Sequence, residues 1–475
     1  MTQHTYEFVP VPRHTHRAEI TMNPSTTPDT WASPRHRSAV TWVVAIATIA
    51  IIFDGYDLVV YGTILPTLMN DPGQLGEISA QQAGALGSYA LIGVMVGALT
   101  AGAVGDYLGR RRMMLVNIAW FSIGMGLAAL ATNVTMFGLL RFFTGIGVGG
   151  LVATAGAMVA EFAPPGKRNL YNAIVYSGVP AGGVLASLLA IVLRDTIGWR
   201  GLFWIGALPI VILLPLALVK LPESPKWLVA RGHEDKARRI SERTGIPMPG
   251  ADEIAAERAS VEKVGFAALA TRRYAWGTAL LGMMSFSGLL LTYGLNTWLP
   301  KIMEDAGFNA KGSLSFLLVL NGGAILGGLI ASKVADGIGP QRVVATTFGL
   351  AALALILLTL GFPLPVLLAS VAVAGVGTIG TQVLIYGFVS NYYSTSARGA
   401  GVAWCAGFGR LGGIFGPLIG GALISAGISS QVAFYVFAGI AVLGGIVTFF
   451  VPRARVTRAE VAGTGEAAYS TVQVS

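Results

Sequence analysis

Asp54 and Asp57 stand three positions apart in an otherwise apolar stretch, and Tyr61 follows four positions on. Helical geometry puts all three side chains on one stripe. Two carboxylates this close repel each other, and a poorly solvated setting disfavours their charged forms. At least one should therefore hold a proton more readily than a free aspartate does. That is what a proton carrier needs. The alternative is that one of the pair binds an arginine and locks the fold. Three further ionisable groups, Arg141, Glu161 and Arg410, lie within or at the edge of apolar stretches. A guanidinium grips a carboxylate through two parallel hydrogen bonds, so Arg141 and Arg410 can anchor an acidic ligand. Each could equally neutralise an internal aspartate or bind backbone carbonyls.

The elements that must position these groups follow from hydropathy and charge. Of the 475 residues, 54% are hydrophobic and 12% charged, about half the charge of a soluble domain, where roughly 25% is usual. Apolar stretches recur at 41–69, 82–104, 113–131, 136–162, 171–193, 202–219, 276–299, 314–334, 343–360, 364–388, 400–424 and 432–450. Each is long enough to cross a hydrocarbon core of about 30 Å as a helix. A charge at the centre of such a helix costs about 2.5–3.5 kcal/mol on insertion scales, so the five buried ionisable groups mark function by default. The expectation is an all-α polytopic membrane protein of twelve transmembrane helices, with the lipid bilayer as its solvent.

The net charge of +9 is distributed in alternate gaps: Arg110 to Arg112, Lys167 and Arg168, residues 220–273, Lys333 and Arg342, Arg398, and Arg453 to Arg458. The gap near Asp71 and Glu77 has neither Lys nor Arg. That asymmetry argues against nucleic acid as the partner and puts the basic gaps and both termini in the cytoplasm, as expected for a cell inner-membrane protein. The polar opening segment, with His4, His14, His16 and His36, reads as a disordered tail and not as a signal peptide or a metal site. The single cysteine, Cys405, excludes an intrachain disulfide. No phosphate-binding loop and no catalytic set is visible, so the chain reads as no enzyme, needing no metal or cofactor.

A charged stretch with helical patterning divides the apolar segments six and six. The division gives a tail (1–38), a six-helix bundle (39–219), a cytoplasmic linker (220–275), a second six-helix bundle (276–452) and a tail (453–475). An internal repeat supports it. Asp106-Tyr-Leu-Gly109 corresponds to Asp336-Gly-Ile-Gly339, Arg168 to Arg398, and Glu161 to Asn391, all 230 positions apart.

Duplicated six-helix halves are the architecture of major facilitator transporters, and several motifs resemble that superfamily. Gly102-Ala-Val-Gly-Asp106-Tyr-Leu-Gly109-Arg110-Arg111 is similar to its signature between helices 2 and 3, and Arg141-Phe-Phe-Thr-Gly145-Ile-Gly147 to its helix 4 signature. Asp54-Gly-Tyr56-Asp57-Leu-Val-Val-Tyr61-Gly62-Thr-Ile-Leu-Pro66 resembles the aromatic acid:proton symporter family, benzoate-type members above all. So do Asn296-Thr-Trp298-Leu-Pro300 and Gly409-Arg410-Leu-Gly-Gly-Ile-Phe-Gly416-Pro417.

The resemblance implies a substrate held between the halves near the bilayer midplane, and a monomer that imports a small aromatic carboxylate with a proton by alternating access. It favours proton coupling for Asp54, Asp57, Arg141 and Glu161, and leaves Arg410 divided between coupling and the substrate carboxylate. Tyr56, Tyr61, Tyr293, Trp298 and Tyr386 offer flat apolar partners for a ring, although interface belts and core packing use the same residues. Asn296 could bond the carboxylate. Asp106, Gly109, Arg110, Arg111, Glu161, Asp336 and Arg398 would form a cytoplasmic latch that breaks on inward opening. The latch should be asymmetric, because Pro340 and Gln341 stand where the first half has Arg110 and Arg111. Two rivals remain open. Pro222-Glu223-Ser224-Pro225-Lys226-Trp227-Leu228 resembles a motif of sugar porters, whose neutral substrates do not call for buried carboxylates. A non-transporting sensor of aromatic acids would be expected to carry an added signalling domain or a long tail.

Overall fold

A computed structural model describes residues 33–164, 167–248, 269–393 and 395–452, without the side chains at positions 102, 103, 106, 169, 395 and 396. The expected C-terminal tail lies wholly outside the described residues, and the expected disordered N-terminal tail does so except at its inner edge. There the boundary at residue 38 is corrected: helix α1 (Pro34–Asn70) begins with Pro34 in its first turn, and the Ser33 hydroxyl accepts a hydrogen bond from the His36 amide. His36 itself is buried, with Nε2 3.1 Å from the Phe162 carbonyl oxygen.

The rest of the first half is α2 (Ala80–Leu108), α3 (Arg110–Ala129), α4 (Val134–Phe162), α5 (Arg168–Tyr176), α6 (Gly178–Ala207) and α7 (Leu213–Lys220). Two short helices, α8 (Pro225–Ala230) and α9 (Glu234–Thr244), follow as the linker. The second half is α10 (Ala275–Asp305), α11 (Ala310–Ile338), α12 (Pro340–Leu357), α13 (Leu364–Gly375), α14 (Thr381–Tyr392), α15 (Thr395–Ser425) and α16 (Ser430–Phe449). Starts are fixed locally: a reciprocal Ser79–Gln82 capping box opens α2, and the Asn133 and Asn309 side chains cap α4 and α11.

Eleven helical stretches among the described residues are long and apolar enough to cross a membrane. One of them, Leu170–Lys220, has 51 residues. As a straight helix it would measure roughly 75 Å, more than twice the hydrocarbon thickness. It turns instead at Gly198, whose φ of 65° no L-residue adopts readily. It therefore makes two crossings, and the total among the described residues is twelve. Large side chains at the outer faces, such as Leu99 at 72% exposure and Phe449 at 75%, are tolerable only in lipid. The protein is a multi-pass membrane protein.

The repeat extends to the helix boundaries. Ala80–Leu108 and Ala310–Ile338 are 230 positions apart at both ends, as are Val134–Phe162 and the pair α13 plus α14. Gly109 and Gly339 end α2 and α11 with nearly equal φ, 94° and 92°. One difference breaks the symmetry. α4 is continuous, whereas its counterpart is interrupted between α13 and α14 by a π-helical turn, Val376–Gly380; such turns concentrate at functional sites.

The two halves meet chiefly through three helix pairs: α1 with α10, α2 with α15, and α6 with α11. Close backbone approach makes this possible. A Cβ at Gly62 would collide with the Asn296 carbonyl oxygen, and one at Gly84 would lie 2.6 Å from that of Pro417. In membranes, small residues allow such packing. These contacts lie from mid-bundle to the end remote from Ser33 and Val451, so the halves are pressed together on the side away from the termini.

Candidate functional site

α1 carries Asp54, Asp57 and Tyr61 down one stripe, as their spacing requires, but the two carboxylates have different surroundings. Asp57 is fully buried, and its Oδ1 accepts a hydrogen bond from Arg141 Nη1 of α4 at 2.5 Å. The same nitrogen lies 3.3 Å from the Asp57 carbonyl oxygen. The Arg141 guanidinium stacks 5.2 Å above the Tyr61 ring, and the Tyr61 hydroxyl donates to the Ala83 carbonyl at 2.6 Å. These groups form one unit inside the first half, with Asp57 Oδ2 and Arg141 Nε buried and without a hydrogen-bonding partner among the described residues. A buried charge pair is stabilised by its own partner and strongly destabilised when one partner is removed.

Asp54 is 3% exposed, and its Oδ1 has no hydrogen-bonding partner among the described residues. The charge that acts on it most strongly is Arg410, from α15 in the opposite half, ahead of Asp57. Arg410 is half-buried and forms no hydrogen bond or ion pair with another described residue. Tyr176, Tyr293 and Tyr386, also half-buried, stand within electrostatic reach of Arg410. Partial exposure this deep in the bundle marks the wall of an internal cavity. One free guanidinium and three phenol rings from both halves line it, with the Asp54 carboxylate buried within electrostatic reach of that guanidinium.

Asp54, Arg410, Tyr293 and Tyr386 are thus brought together. Other expected site residues fall elsewhere. The Tyr56 hydroxyl donates to the Leu202 carbonyl at 2.8 Å, inside the first half, and Tyr61 is committed to Arg141 and Ala83. Trp298 is completely buried, with Nε1 donating to the Pro417 carbonyl at 2.8 Å. Asn296 donates to the Thr292 carbonyl at 2.8 Å and accepts from Asn321 Nδ2 at 2.9 Å, so its amide is occupied beside the contact between the halves. Expected as ring or carboxylate ligands, these four are buried in this structure, with their polar atoms bonded to protein groups. Spacing alone cannot distinguish a cavity face from a core face when the whole helix is apolar.

Glu161, expected both in proton coupling and in the latch, lies away from the aspartate pair. It follows Arg141 by 20 positions on the same helix, a separation of roughly 30 Å, which is too far for direct exchange with the aspartate pair. It sits at the latch instead, 3.5 Å from Arg110 Nε and near Ser224 and Lys226. The Arg111 amide donates to Glu223 Oε1 at 2.9 Å, and its guanidinium donates to the Leu218 carbonyl at 2.7 Å. The Asp106 side chain lies outside the described residues. In the second half Gln341 replaces Arg111 and donates to the Thr448 carbonyl at 3.0 Å, 230 positions after Leu218. Asp336 and Arg398 are exposed and make no ion pair among the described residues. The Arg110–Glu161 pair joins two helices of one half, α3 and α4.

Sequence reasoning did not single out Tyr176, Gln382, Ser285 or Asn321, and it read Glu223 only as part of a motif. For Gln382 and Asn321 a signal existed: each is an amide in a span with no charge nearby. Tyr176 had none.

The comparisons agree with this architecture. The family model described as Major Facilitator Superfamily matches residues 47–336 and 311–473. A gentisate transporter of Corynebacterium glutamicum is 34% identical over 406 residues, 85% of this chain and 85% of that protein. A benzoate transport protein of Acinetobacter baylyi is 33% identical over 88% of this chain and 91% of that one. Among solved structures, the xylose transporter XylE from E. coli in an inward open conformation has a TM-score of 0.70 at 18% identity, covering 90% of this chain and 99% of that one; at that identity the likeness shows the fold alone. The chain belongs to the major facilitator superfamily of transporters, in its aromatic acid:proton symporter family.

Proposed function

We propose that the chain imports a small aromatic carboxylate of the benzoate or hydroxybenzoate type together with a proton, by alternating access, as a monomer in the inner membrane with both termini in the cytoplasm. The names of the gentisate and benzoate relatives support the substrate class. The observation that carries the mechanism is the unpaired Asp54 facing the unpaired Arg410 across the two halves.

Charge balance then accounts for coupling. With Asp54 ionised and Arg410 positive, the empty cavity is neutral. A substrate carboxylate on Arg410 adds a negative charge that the dehydrated interior does not tolerate, and a proton on Asp54 restores neutrality. Tyr176, Tyr293 and Tyr386 supply ring faces for the aromatic body. No cofactor or nucleotide takes part; the proton gradient is the driving force.

Labelled benzoate uptake tests this. Asp54→Asn should abolish accumulation that an uncoupler collapses, while exchange of internal for external benzoate continues, because an asparagine mimics the protonated carrier. Accumulation that is still sensitive to uncoupler in Asp54→Asn would rule out Asp54 as the carrier.

A further inference from the structure

We propose that Gln382 and Tyr386 read a hydroxyl group on the ring of the cargo, the phenolic O–H donating to Gln382 Oε1 while its oxygen accepts from Tyr386. The proposal deepens the aromatic-acid reading and rests on it. Gln382 is 7% exposed and lies two residues beyond the π-helical turn Val376–Gly380, in the helix that carries Tyr386 one turn further on. Its Nε2 donates to Ser285 Oγ of α10 at 3.1 Å, which orients the amide. Its Oε1 is buried and accepts no hydrogen bond from any described residue.

The surroundings explain why this oxygen is left over. The two threonine hydroxyls just before it in the chain are committed elsewhere: Thr381 Oγ1 donates to Thr347 Oγ1 at 2.8 Å, and Thr378 Oγ1 to the Ala374 carbonyl at 2.8 Å. Gly288 faces Oε1, and a Cβ there would stand 2.7 Å from it, so a larger residue would cover the acceptor. Ser285, which holds the amide, packs on Gly409, the residue before Arg410. The acceptor is therefore linked through one side chain to the backbone of the carboxylate anchor. Tyr386 is within side-chain hydrogen-bonding reach of Gln382 and also feels the charge of Arg410. A buried amide oxygen without a donor is costly, and a ligand that brings one recovers that cost. A hydroxyl is the group that satisfies both side chains, since it donates once and accepts as well. Sites built to bond a ligand hydroxyl discriminate strongly against the analogue that lacks it.

The test is a set of dissociation constants for benzoate, 3-hydroxybenzoate and 4-hydroxybenzoate, measured on the purified full chain in detergent. The readout is the ratio of benzoate to hydroxybenzoate constants within each protein, so a general loss of affinity cancels. Wild type should bind at least one hydroxybenzoate more tightly than benzoate. Gln382→Met should reduce that preference by roughly three- to tenfold, as expected for one hydrogen bond. Tyr386→Phe, which keeps the ring and loses the donor, should move it in the same direction and serves if Gln382→Met does not fold. Unchanged ratios in a folded variant, or a wild type that prefers benzoate to both hydroxybenzoates, would overturn the proposal and leave the aromatic-acid reading standing. If wild type binds none of the three acids, the aromatic-acid reading itself fails.

Discussion

Asp54 and Asp57 are one helical turn apart, yet the residue opposite each decides its chemistry. Asp57 pairs with Arg141 from its own half; Asp54 has no such partner and is influenced most by an arginine from the other half. Removing one partner of the buried pair should therefore be costly. Asp57→Ala is expected to destabilise the folded protein by about 3–5 kcal/mol, because it leaves a buried, unpaired guanidinium. The double variant Asp57→Asn/Arg141→Gln should be less unstable than Asp57→Ala, since no charge is left behind. Thermal unfolding in detergent measures both, and a double variant that melts below Asp57→Ala would mean that the pair contributes attraction beyond mutual neutralisation.

At the scale of helices, contact between the halves depends on backbones that touch. α1 and α10 meet where Gly62 lies on the Asn296 carbonyl, and α2 and α15 meet at Gly84 and Pro417. The Ser88 hydroxyl donates to the Ile414 carbonyl at 2.7 Å within the same contact. Gly62→Val removes the room for this approach, so the halves should part on the side away from the termini. A cysteine introduced at Ser88, in a Cys405→Ser background, reports on that opening. In wild type it is buried and should react slowly with a membrane-impermeant thiol reagent applied to the far side; in Gly62→Val it should react at least several-fold faster. Equal labelling rates would show that α1 and α10 part without this contact limiting them. The π turn between α13 and α14 is the other feature at this scale. It breaks the symmetry with α4 just before Gln382 and Tyr386, so the two halves offer different chemistry to the same cavity.

For the whole molecule, the far side is closed by backbone packing and also by an ion pair between the halves, Asp195 Oδ2 to Lys311 Nζ at 3.1 Å. Both side chains are about 60% exposed, 58% and 62%, and exposed pairs of this kind contribute about 0–1 kcal/mol. Lys311→Ala should therefore change the rate of benzoate uptake by no more than about fivefold. A complete loss of uptake in a well-folded Lys311→Ala protein would show that the pair is a principal gate and the glycine contacts are secondary. The pair lies beside a cavity of about 550 Å³ lined by Asn70, Arg194, Lys301 and Glu304, where the far side would open.

Much of this was legible in the sequence because the bilayer imposes a simple rule. Each crossing must be a long apolar helix, so twelve crossings, the repeat at 230 positions and the cost of Asp54, Asp57, Arg141 and Arg410 could all be read from residue types and spacing. The same rule hid the rest. In lipid both faces of a helix are apolar, so periodicity cannot separate core, cavity and lipid faces. Tyr56, Tyr61, Asn296 and Trp298 looked like ligands, and only packing committed their polar atoms to Leu202, Ala83, Asn321 and Pro417. Likewise, which aspartate is paired and which is free depends on helices far apart in sequence. Asp57 meets Arg141 across 84 positions of chain, and Arg410 reaches Asp54 from the opposite half. Those are distances through space, and a linear order of residues does not contain them.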